Sequence, residues 1–236
     1  MRLFVFGTGY VGARVARHFA AGGTTRATWD GKSPFTLPKG TTHVLSTIAP
    51  DRGGQDPVAR YVDLSDVGWR GYLSSTSVYT DTRRGQDRRS AESQWARATL
   101  FRSTGIYGPG RNLLARLRAG KVVWSDVPGK VWNRIYVDDL VQTIVHAILH
   151  SAAGVFDVAD GQPRKMADDI ALAARLLGVP PPPPIPLARL PSGLRSFYQH
   201  SAAINNDRIR TVLGVKLLFP SHAEGLCHLH KTPLGF

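Results

Sequence analysis

The chain has 236 residues and a formal net charge of +13, and it is 42% hydrophobic with one cysteine, Cys227. This composition excludes a largely disordered chain and an internal disulfide, and no apolar run approaches the ~20 residues of a membrane span. We expect a reducing compartment, cytoplasm or organelle matrix, with no visible targeting segment. The charge attracts polyanionic or protein-assembly partners, or it serves only solubility.

The first predicted element is a buried strand, Leu3 to Phe6, that stops at a glycine-rich turn. Its three glycines have Gly-x-Gly-x-x-Gly spacing, and apolar residues at helical spacing follow them. In a dinucleotide-binding turn, the first glycine allows the bend, the second lets a pyrophosphate approach, and the third lets the helix pack on the strand. We therefore predict cofactor contacts along the turn, from Gly7, Thr8, Gly9, Tyr10, Val11 and Gly12. The alternative is a structural turn without a ligand.

The next stretch is short for a complete strand–helix–strand unit. Residues 24–29 are β-prone and residues 42–48 predict a buried strand, whereas such a unit needs ~30 residues or more. We therefore expect the second strand and its crossover helix to be truncated or replaced by a loop. Ser46 and Ala49, at the end of the later strand, are further candidate cofactor contacts.

The residue that ends the second strand selects the cofactor in dinucleotide-binding folds. An acidic residue there binds the ribose hydroxyls of NAD, and an arginine accommodates the 2′-phosphate of NADP. Arg26 favours NADP. Asp30 is the competing NAD-type residue, although it falls after the expected register.

A later strand, residues 69–79, becomes rich in hydroxyl side chains towards its carboxyl end. Ligands of open α/β sheets lie beyond the carboxyl ends of the strands, so these hydroxyls are well placed for a site. Residues 83–89 predict a basic loop, which is a solvated face or a binding site for phosphate or nucleic acid. A short helix over residues 91–98 and a strand over residues 100–102 follow.

The remainder predicts a smaller mixed lobe over residues 113–236, with a strand near 155–160 returning to the core of residues 1–112. Asp138 or Asp139 can cap a helix whose apolar positions from Leu140 to Ile148 keep helical periodicity, and Ser221 and Glu224 form a capping box. Further predicted elements are helices over 166–177 and 206–213, stopped by Gly178 and Gly214, and a polyproline spacer over 180–184.

Four motifs in this order resemble one known family. They are the Gly7–Gly12 turn, Leu-Ser-Ser-Thr-Ser-Val-Tyr at 73–79, Gly-Ile-Tyr-Gly-Pro-Gly at 105–110 and Ile-Tyr-Val-Asp-Asp-Leu at 135–140. Together they resemble an atypical extended short-chain dehydrogenase/reductase of the NAD-dependent epimerase/dehydratase type. The resemblance implies an α/β fold: a doubly wound, parallel-sheet Rossmann fold with a small mixed C-terminal lobe. It also implies that the cofactor is NADP or NAD.

The resemblance further assigns catalytic positions. The hydroxyl that bonds the substrate oxygen corresponds to Ser75, with Thr76 adjacent. The family's Tyr-x-x-x-Lys motif is absent, because its tyrosine and lysine positions fall on Arg84 and Arg88. Arginine cannot supply a proton near neutral pH, although Arg88 can still bond a ribose. Tyr79 is the candidate to replace the missing acid/base.

Three functions follow as hypotheses. The first is an NAD(P)-dependent oxidoreductase or epimerase with modified proton chemistry. The second is an inactive cofactor-binding subunit of a larger multiprotein or ribonucleoprotein assembly, and the third is a nucleic-acid-binding protein. A metal site at His222, Cys227, His228 and His230 is not expected, because neighbouring helical residues do not share a face.

Overall fold

The structure, a computed structural model, describes residues 1–22, 24–27, 29, 31–198, 200–201 and 203–232. These residues form eight strands: β1 (Leu3–Phe6), β2 (Thr25–Ala27), β3 (His43–Ser46), β4 (Trp69–Ser75), β5 (Thr99–Ser103), β6 (Gly105–Tyr107), β7 (Arg134–Tyr136) and β8 (Gly154–Val158). The same residues form nine α-helices: α1 (Gly12–His18), α2 (Pro57–Tyr61), α3 (Arg83–Ser93), α4 (Leu113–Arg118), α5 (Val137–Leu149), α6 (Met166–Leu177), α7 (Ser192–Tyr198), α8 (Asp207–Thr211) and α9 (His222–Lys231). Within this part of the chain, no helix combines the length and apolarity that a membrane span requires.

The chain divides into two compact units. The first holds residues 1–103, 140–158 and 207–216, and the second holds the three segments between and after them. This division is more interleaved than the predicted boundary after residue 112. Most of α5, all of α8 and the returning strand β8 belong to the first unit, whereas residues 104–112 belong to the second.

A parallel sheet of six strands, in the order β2-β1-β3-β4-β5-β8, forms the centre of the first unit. The four residues of β1 are buried, as the unbroken apolar run predicts. From β1 the chain first builds β2 on one side and then crosses to β3 on the other. This reversal makes the sheet doubly wound, which confirms the predicted fold class.

The truncated edge of the sheet is also as predicted. Strand β2 has three residues, and the described residues between β2 and β3 contain no helix. Two aromatic rings pack there instead: Trp29 and Phe35 lie with their ring centroids 5.5 and 5.4 Å from that of Phe6. The loop therefore covers this part of the sheet with side chains in place of a crossover helix.

The predicted basic loop over residues 83–89 is wrong, because these residues form the first turns of α3. Thr82 caps the helix by accepting a hydrogen bond from the backbone N–H of Gly85 at 3.1 Å. The helix ends at Ser93 and not at Ala98. Its sequence is so polar that hydrophobic periodicity, the main signal used for helices, is weak here.

In the second unit, β6 and β7 form a parallel pair. Helix α6 has its predicted bounds and ends at Gly178, whose φ is +67°. Helix α9 begins at the predicted capping box, where the Ser221 hydroxyl accepts from the Glu224 N–H at 3.2 Å.

Candidate functional site

The glycine turn between β1 and α1 gives each glycine a distinct steric role. Gly7 has a φ of +92°, in the left-handed region that favours glycine. A Cβ on Gly12 would overlap the carbonyl oxygen of Gly7, so the helix packs directly on the end of the strand. A Cβ on Gly9, in contrast, would meet no heavy atom within 4 Å. Gly7 and Gly12 therefore shape the turn, and Gly9 keeps its surface open.

The start of α1 offers backbone donors to a ligand. Val11 occupies the N-cap position without a side-chain hydrogen bond to the helix, and the first turn contains no acidic residue. Such a helix start favours an anion. Arg14, one turn on, donates to the carbonyl of Tyr10 at 2.7 Å and stacks 4.1 Å from the centroid of its ring. Arg14 thus fixes Tyr10 at the rim of the turn, while Thr8 lies exposed beside Gly9.

The turn lies at the topological switch point, where the carboxyl ends of β1 and β3 are adjacent. Thr47, directly after β3, has its hydroxyl 3.1 Å from the carbonyl of Phe6 and 3.2 Å from that of Gly7. Ser46 is fully buried and accepts weakly from the Ile48 N–H at 3.4 Å, whereas Ala49 is exposed. Sequence reasoning missed Thr47, although its place directly after a strand at the switch point is a usable signal.

Ser75 and Thr76 lie at the carboxyl end of β4, two strands from the glycine turn. The Ser75 hydroxyl caps a short 3₁₀ turn over Thr76–Tyr79 by accepting from the Ser77 N–H at 3.2 Å. Its proton is still available for donation to a ligand. The Thr76 hydroxyl faces the carbonyl of Ser103 at 3.4 Å. Ser75 is therefore the better placed of the two hydroxyls.

Tyr79 lies in a polar cluster on the neighbouring strands. Its hydroxyl donates to the Asp157 carboxylate at 2.8 Å and accepts from Arg102 at 2.9 Å. Arg102 in turn pairs with Glu92 at 2.7 Å. Burial raises the pKa of the Tyr79 hydroxyl, and the bond to Asp157 raises it further. These contacts weigh against Tyr79 as the acid/base, and its catalytic role stays a prediction.

Helix α3 carries the two arginines at the family's tyrosine and lysine positions. Arg88 is half-buried and donates to the Tyr72 hydroxyl at 3.2 Å. Arg84 is exposed and lies one turn earlier. Partial desolvation, followed by repulsion from Arg88, lowers the pKa of the Arg84 guanidinium. An arginine does not release its proton near neutral pH, so neither side chain can do the tyrosine's proton chemistry.

The two residues predicted to choose between the cofactors lie largely outside the described part of the chain. The backbone of Arg26 belongs to β2, where it is paired with Val5 of β1. The side chain of Arg26 and the whole of Asp30 fall outside the described residues. The preference for NADP therefore stays a prediction.

His222, the first residue of α9, has a structural partner. His222 is buried, with its Nδ1 atom 2.6 Å from the Asp169 carboxylate. Burial lowers the pKa of His222. Burial also acts to raise the pKa of Asp169, but hydrogen bonds from His222 and Arg164 outweigh it and lower the pKa of this carboxyl below its ordinary value. Among the described residues, no three histidines, cysteines or carboxylates are grouped for a metal ion.

One further buried carboxyl lies in the second unit. Asp160 accepts from the Asn133 side chain at 2.7 Å through Oδ1, and its Oδ2 atom has no partner among the described residues. Burial raises the pKa of this carboxyl to about 7. Asp160 therefore makes the stability of this unit sensitive to pH.

No protein-family model matches the chain. A conserved protein of unknown function from Silicibacter pomeroyi is 32% identical, with a TM-score of 0.84 over 95% of this chain and 96% of that one. A human epimerase family protein, crystallised with NADPH, is 16% identical, with a TM-score of 0.78 over 97% and 98% of the two chains. At 16% identity, the likeness to the human protein supports the fold alone.

A sequence relative of named activity comes from Streptomyces. It is a 3-diazoavenalumate denitrifying reductase, 33% identical over 176 residues, which are 70% of this chain. Those residues are 55% of the relative, so the chain spans about half the length of the curated protein it matches.

Proposed function

We propose that this chain, which belongs to the extended short-chain dehydrogenase/reductase family of the NAD-dependent epimerase/dehydratase type, is an NADPH-dependent reductase. The observation that carries this proposal is the glycine turn at the switch point, with Gly9 open and Gly7 and Gly12 closely packed. The reductase activity named for the Streptomyces relative favours reduction over epimerisation. Binding of NADPH to the human structural neighbour fits the arginine in β2.

Each part of the first unit has a role in this proposal. The backbone N–H groups from Gly9 to Gly12 bind the pyrophosphate, and Arg26 binds the 2′-phosphate. Arg88 orients the nicotinamide ribose, and the Ser75 hydroxyl, at the end of β4, donates a hydrogen bond to the substrate atom that is reduced. The bound dinucleotide supplies the hydride. An arginine does not release its proton near neutral pH, so the proton that completes the reduction comes from solvent water and not from α3.

The decisive experiment is a substrate screen monitored by nicotinamide absorbance. For a reductase, NADPH is consumed with at least one electrophile, and Ser75→Ala removes that turnover while leaving NADPH affinity nearly unchanged. Turnover that survives in Ser75→Ala would contradict the assigned role of this hydroxyl.

A second candidate, an inactive cofactor-binding subunit of a larger assembly, is favoured by the arginines at both proton-transfer positions. The net charge of +13 suits a polyanionic or acidic assembly. This candidate expects NADPH to bind without turnover in every assay, including assays on protein purified with its native partners. Native mass measurement of the protein from its source cells tests whether such partners are present.

A further inference from the structure

Arg84 differs from the other arginines of α3, because it has no hydrogen-bond acceptor among the described residues. The other three donate to oxygen atoms of the first unit: Arg83 to the carbonyl of Arg52 at 2.9 Å, Arg88 to the hydroxyl of Tyr72 at 3.2 Å, and Arg89 to the carbonyl of Thr80 at 2.8 Å. Among the described residues, Arg84 makes neither a hydrogen bond nor an ion pair. Its guanidinium group is therefore available to a ligand.

The topology places Arg84 at the ligand edge of the sheet. Helix α3 connects two parallel neighbours, β4 and β5, so it runs against the strand direction and its first turn lies at the carboxyl edge. Gly85 fixes this turn, because a Cβ there would clash with the carbonyl oxygens of Ser77 and Thr80. Ser77 is also the residue whose N–H bonds the Ser75 hydroxyl. The backbone of Arg84, next to Gly85, therefore lies close to the segment whose N–H group bonds the Ser75 hydroxyl.

The free protein keeps two cations one turn apart at this edge. Like charges at i and i+4 of a helix destabilise it, and the guanidinium of Arg84 is also partly desolvated. A binding site can carry such a local cost, because an incoming anion offsets the repulsion and gives the partly desolvated guanidinium a partner. Arg88, held by Tyr72, contributes to the positive potential without leaving its place.

We infer that Arg84 binds a carboxylate group of the substrate and so selects anionic substrates for reduction beside Ser75. A guanidinium presents two parallel N–H donors that match the two oxygens of a carboxylate. Arg88 already donates to Tyr72, so the anion pairs with Arg84, and one carboxylate supplies the two oxygens and the single charge that one guanidinium matches. This inference rests on the proposed function, because it assumes that the substrate lies at Ser75.

The test uses benzoate as the probe and benzamide as its uncharged counterpart of the same shape. Both are titrated by ligand-observed proton NMR into protein saturated with NADPH. Benzoate should bind the wild type about 10- to 150-fold more tightly than benzamide, as expected for a charge-assisted pair. Arg84→Gln should remove this preference, and Arg84→Lys should keep part of it because the charge remains.

Arg83→Gln is the matched control, since it removes the same charge from the same helical turn. It should leave benzoate affinity unchanged. Thermal denaturation separates binding from structure: Arg84→Gln should melt at or above the wild-type temperature, because it removes the repulsion from Arg88. A lower melting temperature would indicate a structural role and overturn the inference.

Three further results would overturn it: equal affinity for benzoate and benzamide, no benzoate binding to NADPH-loaded protein, or benzoate affinity that survives Arg84→Gln. If phenyl phosphate binds more tightly than benzoate, and Arg84→Gln removes that binding, the group that Arg84 recognises is a phosphate, and the assignment to a carboxylate is wrong. NADPH affinity is measured first. Failure of NADPH to bind contradicts the proposed function, whereas NADPH binding without charge selection contradicts only the role of Arg84.

Discussion

Gly9 offers a substitution that separates cofactor binding from folding. A side chain at Gly9 would enter open space, since no heavy atom lies within 4 Å of its Cβ position, and its φ is not in the left-handed region. The free energy of unfolding of Gly9→Val should therefore stay within about 0.5 kcal/mol of the wild-type value. The isopropyl group would nevertheless occupy the space through which a pyrophosphate reaches the backbone N–H groups.

The size of the binding loss follows from the hydrogen bonds displaced. A hydrogen bond to a charged group is worth about 1.5–3 kcal/mol, so losing even one pyrophosphate contact weakens NADPH binding by roughly 10- to 150-fold. The steric block displaces more than one contact, and we expect binding to be abolished at ordinary concentrations. Isothermal titration calorimetry with NADPH measures this loss, and urea denaturation measures stability on the same samples.

Gly12→Ala is the contrasting variant. Its added methyl group would overlap the Gly7 carbonyl oxygen and lie 2.7 Å from the Thr47 hydroxyl, so it should lower stability by about 1–3 kcal/mol. The reasoning predicts opposite profiles: a stable protein without binding for Gly9→Val and a destabilised protein for Gly12→Ala. Unchanged NADPH affinity in Gly9→Val would refute the placement of the pyrophosphate on this turn.

Four other outcomes are expected. Arg26→Ala should weaken NADPH by about 1.5–3 kcal/mol and leave NADH affinity unchanged in calorimetry; equal effects on both would remove the assignment to the 2′-phosphate. Thr47→Val, which deletes the hydroxyl bonded to the carbonyls of Phe6 and Gly7, should lower the free energy of unfolding by about 1–3 kcal/mol in urea denaturation. Tyr79→Phe should keep turnover, because its hydroxyl is bonded to Asp157; a loss of ~100-fold or more would instead make Tyr79 the acid. In the folded protein the carboxyl of Asp160 stays protonated up to a pKa of about 7, so it stabilises the fold at low pH. The free energy of unfolding should fall by about 1.4 kcal/mol per pH unit as the pH rises towards that value. Asp160→Asn should flatten this fall in thermal melts between weakly acidic and neutral pH.

The sequence predicts the parts of this molecule that depend on short-range patterns. The apolar run of β1, the glycine spacing and the N-cap at Ser221 each specify their structure through local geometry, and the structure contains all three. The shortened sheet edge follows from counting residues between Gly23 and Thr41.

The parts that the sequence does not predict have two causes, a weak hydrophobic pattern and partners distant in sequence. Helix α3 is polar enough to resemble a loop, and the only local signal that marks its start is the N-cap residue Thr82. The cluster around Tyr79 joins residues from a 3₁₀ turn, β5 and β8, and its members lie up to 78 positions apart. No spacing rule connects Tyr79 to Asp157, so only the folded sheet shows that the tyrosine hydroxyl already has partners.

The central claim, that the chain binds a pyridine dinucleotide at its glycine turn, is tested most directly by native mass spectrometry of the wild-type protein incubated with NADPH. We expect a complex with one dinucleotide per chain, and the released nucleotide should be identified as the phosphorylated form in preference to NAD when both are supplied. A chain that stays free of nucleotide at saturating NADPH and NADH would contradict the claim.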